Sequence, residues 1–141
     1  DIDTNEIMAE GLSMPHSPRW FDGKLWVLNS GSGELGWIDP EDKGFQPVAF
    51  FPGFLRGLAF HGNFAVTTLS KPRDGRFEGL SLDDRLKEKD ADAWCGLQIL
   101  NLETGDVAIT ELFDVCVLSG VRNPITLGPN SLEIRDFITF N

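Results

Sequence analysis

The chain has 141 residues, 41% of them hydrophobic and 24% charged, which is enough apolar material for one modest core and too much for a disordered segment. A formal net charge of −10, with no basic cluster, argues against binding a nucleic-acid backbone. No apolar run approaches a membrane span, and two cysteines, Cys95 and Cys116, are too few for a disulfide scaffold and read as structural thiols in apolar surroundings. An intracellular, cytoplasmic setting fits that cysteine usage.

Residues 1–10 are polar and acidic, and read as a linker or the end of a preceding element. The densest pattern follows, GLSMPHSPRWFDGKLWVLNSGSGELGWID. Phe21-Asp22-Gly23-Lys24 has the composition of a tight hairpin, because Asp-Gly tolerates the positive φ angles such a turn needs. Leu25-Trp26-Val27-Leu28 is a short apolar run broken by Asn29-Ser30-Gly31-Ser32-Gly33, which reads as a buried strand between turn signals. Gly36-Trp37-Ile38-Asp39 is the next strand, stopped by Pro40, and Val48-Ala49-Phe50-Phe51 is the one after it, ended by Pro52-Gly53. Four short strands joined by short turns make a meander.

At Phe54 the pattern restarts. Leu58-Ala59-Phe60-His61-Gly62-Asn63 repeats Arg19-Trp20-Phe21-Asp22-Gly23-Lys24 at an offset of about 39 residues, the size of a four-stranded propeller blade. Residues 64–69 then match the strand of Leu25 to Leu28. An insertion covering 71–93 interrupts the copy. Within it Ser81-Leu82-Asp83-Asp84 has the form of a capping box, with Ser81 as N-cap, and Leu82 and Leu86 lie one turn apart on an otherwise charged face. This predicts a short surface helix whose removal leaves the sheets intact. The copy resumes at Cys95-Gly96-Leu97-Gln98-Ile99-Leu100-Asn101, turns at Glu103-Thr104-Gly105, and starts a last strand at Asp106-Val107-Ala108-Ile109.

The expected fold is therefore all-β: two four-stranded propeller-type blades, a partial propeller, with one short inserted helix. The first blade spans 11–53 and the second 54–118 with its insertion 71–93. A C-terminal strand falls within 132–140, and the whole domain covers 11–141. A β-sandwich or a single open sheet suits the strand spacing as well.

The segments GLSMPHSPRW, LWVLNSGSGELGWID, FFPGFLRGLAFHG, LSKPR and CGLQILNLETGDV resemble a bacterial family of conserved hypothetical proteins that is treated as a domain of unknown function. The resemblance covers about 11–128. It implies a propeller-like fold and no assigned activity, and it implies that this chain corresponds to the C-terminal part of a longer one. The pattern departs after Asp106-Val107, where the family carries a longer fourth strand and this chain has only Ala108-Ile109-Thr110-Glu111-Leu112.

In a blade, the loop entering the first strand and the loop joining the second and third lie at one end. Here those are residues 14–17 and 53–56, and residues 29–33 and 70–93, with the insertion lying beside the face like a lid. Loops on a rigid scaffold are the usual place for binding residues. That end collects His16, Arg19, Asn29, Ser30, Arg56, Lys71 and Arg73, a cationic and hydrogen-bonding set on an acidic protein, suited to a carboxylate, phosphate or sulfate. The structural alternative is that His16 caps a turn and the arginines pair with acids such as Asp22 or Glu34. His16 and His61 fall at opposite ends, so no shared metal site is expected, and no cofactor. There is no GxSxG elbow or phosphate loop. Trp20, Trp26 and Trp37 read as core aromatics rather than a sugar platform.

Two functions fit. One is a non-enzymatic binding or scaffold module taking a protein or small anionic ligand on this face. The alternative is a propeller enzyme, hydrolase/lactonase-like or oxidoreductase, acting on a small anionic or sugar-like substrate there; fold does not choose between them. Two blades alone leave apolar faces and sheet edges open, so the chain is expected to belong to a longer polypeptide or a homo-oligomer.

Overall fold

The computed structural model describes residues 2–72 and 78–110. Among them are two four-stranded antiparallel sheets and one helix. The first sheet runs β1 (Pro15–Phe21), β2 (Lys24–Asn29), β3 (Glu34–Ile38) and β4 (Phe45–Phe50), each paired with the next. The second runs β5 (Phe54–His61), β6 (Phe64–Ser70), β7 (Gly96–Asn101) and β8 (Val107–Thr110) in the same way. Helix α1 (Ser81–Glu88) lies between β6 and β7 in sequence. The all-β reading and the restart of the meander at Phe54 are both present. The expected strand at 132–140, Cys116 and Arg73 lie outside the described residues.

The two sheets have the same strand order and share one irregularity. In β1 the register shifts between His16 and Arg19, and in β5 it shifts between Leu55 and Leu58, so the same bulge recurs 39 residues on. In β5 the bulge is held by β6: Thr67 Oγ1 donates to the Gly57 carbonyl at 2.9 Å, and the Gly57 N–H donates to Thr68 Oγ1 at 2.8 Å. Both threonines are buried, so their hydroxyls take up the backbone groups that the bulge removes from the ladder.

The hairpins differ, which the sequence alignment missed. Asp22 (φ 47°) and Gly23 (φ 71°) form the expected turn with two positive angles. In the copy, Gly62 (φ 52°) and Asn63 are the central pair, and an extra rung, His61 to Phe64, lengthens the hairpin. Gly62 therefore does not take the place of Gly23. β4 also begins earlier than its apolar run. It includes Pro47, which has no N–H to donate and is tolerated because β4 is an edge strand with a neighbour on one side only in its sheet.

One core joins the sheets. Trp26, Leu28 and Leu35 of the first sheet cluster with Leu55, Leu58, Ala65, Leu69 and Leu100 of the second, and Phe51 from the connection between them is fully buried there. Trp26 is 6% exposed, as its place in an apolar run predicts, whereas Trp20 is 74% exposed and is not a core residue. β1 lies alongside β5, and Phe21 stacks on Phe60 with ring centroids 4.3 Å apart and planes within 3°.

Helix α1 departs from expectation in two ways. Its N-cap is Leu80, without a side-chain cap. The Ser81 hydroxyl instead donates to the Gly31 carbonyl at 3.2 Å, beside the Leu82 N–H at 2.9 Å, because that buried carbonyl offers a stronger claim than a solvated helix end. The helix is also more than a surface appendage. Leu82 is fully buried and Leu86 is 7% exposed, packed with Phe54 and, more loosely, Phe50 and Leu80. Arg85 forms an ion pair with Glu34 of β3 and lies 5.0 Å from the Phe50 ring. Leu82→Ala is therefore expected to destabilise the fold by about 2–5 kcal/mol in denaturant unfolding, the usual cost of emptying a packed leucine site. A loss within about 0.5 kcal/mol, the range of surface substitutions, would return the helix to the surface role.

Candidate functional site

The loops expected to share one end are tied together there by hydrogen bonds. The turn of residues 29–33 is buried, which is unusual for a loop, since each buried backbone group needs a partner. Its partners come from four segments. Gly31 N–H donates to the Ser13 carbonyl at 2.9 Å, Leu82 N–H donates to Gly31, and Phe51 N–H donates to Gly33 at 2.8 Å. The Ser30 hydroxyl, fully buried, donates to the Leu55 carbonyl at 2.8 Å.

This places the candidate residues in two groups. Asn29 and Ser30 point their polar atoms into the fold. Asn29 Oδ1 accepts from the Ser13 N–H at 2.6 Å, and Ser30 holds β5, so both side chains are engaged with backbone. His16 and Arg56 meet at a common aromatic centre, Phe54. The His16 ring stands edge-on to it at 5.5 Å, and the Arg56 guanidinium lies over it at 4.5 Å. Arg56 Nε also donates to the Ser70 hydroxyl at 3.3 Å, and Ser70 precedes the exposed Lys71. The Ser17 hydroxyl donates to the Arg56 carbonyl at 2.7 Å, joining the two bulges directly. Arg19 lies beyond the β1 bulge, exposed, with Nη1 donating to the Pro18 carbonyl at 2.9 Å.

The pairings imagined for the arginines are distributed differently. Glu34 is the ion-pair partner of Arg85, and it also accepts from the Ser32 hydroxyl at 2.8 Å. Among the described residues, Arg56 is held by a ring and a hydroxyl. Phe54 and Ser17 organise this end and were not singled out from the sequence. A signal existed for Phe54, an aromatic at the first position of the repeat, but nothing local distinguished it from the other ten phenylalanines. His61 ends β5 beside its hairpin turn, whereas His16 lies near the start of β1 in the other sheet. Among the described residues, no group of three His, Cys, Asp or Glu is arranged to hold a metal ion, and no helix is long and apolar enough to cross a membrane. Cys95 is a half-buried free thiol.

With this geometry in place, the comparisons with known proteins add the family. A family model described as a domain of unknown function (DUF4915) matches residues 1–127, and the chain belongs to that family. No curated protein matches it.

The Ser30 bond predicts a stability effect at this end. Ser30→Ala leaves the Leu55 carbonyl buried without its donor, so a loss of about 1–3 kcal/mol is expected in denaturant unfolding. An unchanged midpoint would show that the bond does not hold the two sheets together.

Proposed function

We propose that this member of a family without assigned activity is a binding or scaffold module, whose sheets are neighbouring propeller-type blades and whose ligand face is the end that carries His16 and Arg56. The observation behind the proposal is the cluster on Phe54. A cation is normally a mobile surface group, but here the Arg56 guanidinium is held over a buried ring at the junction of β1 and β5, with the imidazole of His16 against the same ring. Fixing donors before a ligand arrives lowers the entropy lost on binding. Arg19 and Lys71 add positive charge nearby in sequence to those strands, and Arg73 extends the same set. Asn29 and Ser30 serve by holding the loops. On a chain of net charge −10, a local group of cations is an attractive site for a carboxylate, phosphate or sulfate, borne by a small molecule or a protein.

The blade reading is supported by the recurrence of like contacts between like positions. Ser17 touches Arg56 and Phe21 stacks on Phe60, each pair 39 residues apart, so β1 and β5 run side by side in register. Repeat units arranged about an axis that parallels their first strands meet in this way. The reading also gives a role to exposed apolar side chains. Trp20 at 74% and Phe64 at 44% are surfaces for further blades, supplied by a longer chain or by other copies.

Thermal unfolding in phosphate, sulfate or citrate, with sodium chloride at matched ionic strength as control, tests the ligand face. At least one of the anions is expected to raise the midpoint, by the equivalent of about 2.7 kcal/mol at 100 times its Kd. The Arg56→Gln/Lys71→Gln pair is expected to lose most of that rise. Equal rises in both proteins, or none, would overturn the assignment.

Light scattering tests the need for further blades. The chain by itself is expected to have a mass above that of one copy. A stable monomer at micromolar concentration, unfolding cooperatively, would favour a closed sandwich.

A further inference from the structure

At the opposite end of the sheets, their hairpin turns frame a cleft of about 670 Å³, within the size range of small-ligand sites. Its walls are largely aromatic, with Phe21, Trp26 and Trp37 from the first sheet and Leu102 from the second. Its rim carries Asp22, Lys24, Asn63 and Glu103, all exposed.

Each wall has a definite chemistry. The Trp26 indole N–H is already committed to the Phe21 carbonyl at 3.1 Å, so Trp26 offers apolar surface only. Phe21 has one ring face occupied by Phe60. Trp37 is half-buried, and the Lys24 ammonium lies 4.6 Å from its ring centroid, a contact that is weak at an exposed site and easily displaced. Val48 is the extra residue of a β4 bulge, since Leu35 pairs with Ala49 while Gly36 pairs with Pro47. The bulge leaves Val48 45% exposed in the cleft wall, and bulges of this kind commonly re-aim a side chain at a site.

The rim decides the ligand class. Two carboxylates face one ammonium, so the rim is net negative and disfavours the anions suited to the Arg56 end. Carboxylate acceptors, an ammonium donor and an amide together match a ring of hydroxyl groups, which both donate and accept. The aromatic faces carry negative potential and attract the positively polarised C–H groups of an apolar ring face. We infer that this cleft binds a neutral saccharide, with one pyranose ring lying on Trp37 and its hydroxyls bonded by Asp22, Asn63 and Glu103. The inference is independent of the anion-binding face, since the two share no residue.

Isothermal titration calorimetry of the full chain with glucose, galactose, mannose, N-acetylglucosamine and their disaccharides tests it. At least one of these is expected to bind saturably. Trp37→Ala is expected to weaken that sugar by about tenfold, the loss of one aromatic platform. Glu103→Gln and Asn63→Ala, both on exposed turns, should weaken it while leaving the circular dichroism unchanged, and they carry the test alone if Trp37→Ala does not fold. Absence of binding by every sugar in the panel, or an unchanged Kd in the folded variants, would overturn the inference.

Discussion

A buried turn has to satisfy its own backbone, and the turn of residues 29–33 does so by recruiting most of the molecule. Ser13, Phe51, Leu82 and the Ser81 hydroxyl each supply or accept a bond at Gly31 or Gly33, while Ser30 reaches across to β5. Sterics leave no alternative to glycine at those two positions. A Cβ at Gly31 would lie 2.0 Å from Ser13 Oγ, and one at Gly33, already at φ +72°, would lie 2.8 Å from Leu82 and from the Phe51 carbonyl. The segment that leads into β1, the connection between the sheets and the inserted helix are all positioned by this one requirement.

The same requirement separates the two ends of the sheets chemically. At the loop end, buried polar atoms are spent on assembly, and the cations that remain at the surface are oriented by Phe54. At the hairpin end the contacts between the sheets are aromatic, Phe21 and Trp26 against Phe60, and the sheets part there around a cleft. Helix α1 accentuates the difference: it closes over the loop end through Leu82, Leu86 and the Arg85–Glu34 pair and contributes nothing to the hairpin end.

Much of the fold was legible in short-range pattern. Asp22-Gly23 specified its turn because the φ angles it needs are a property of two residues. The strands followed from apolar runs bounded by Gly, Pro and Asn, and the restart at Phe54 showed as a repeated motif. Leu82 and Leu86 were placed on one helical face, and both are buried. The site was less legible. Asn29 and Ser30 were grouped with His16 and Arg56 on loop order alone. Loop order says nothing about which way a side chain turns, and both face inward.

The amino-acid sequence by itself determined the local conformations: the strands, the tight turns and the helix, each set by steric preference and apolar spacing within a few residues. Only the tertiary structure decided where polar groups found their partners. Ser81 looked like a helix cap and became a donor to Gly31, since the carbonyl it satisfies is 50 residues away in sequence. Among the described residues Arg56 found a ring and a hydroxyl, and the hairpin-end cleft arose from side chains of turns that lie about 40 residues apart. Hydrogen bonding and burial are settled by what lies nearby in space, and no local pattern records that.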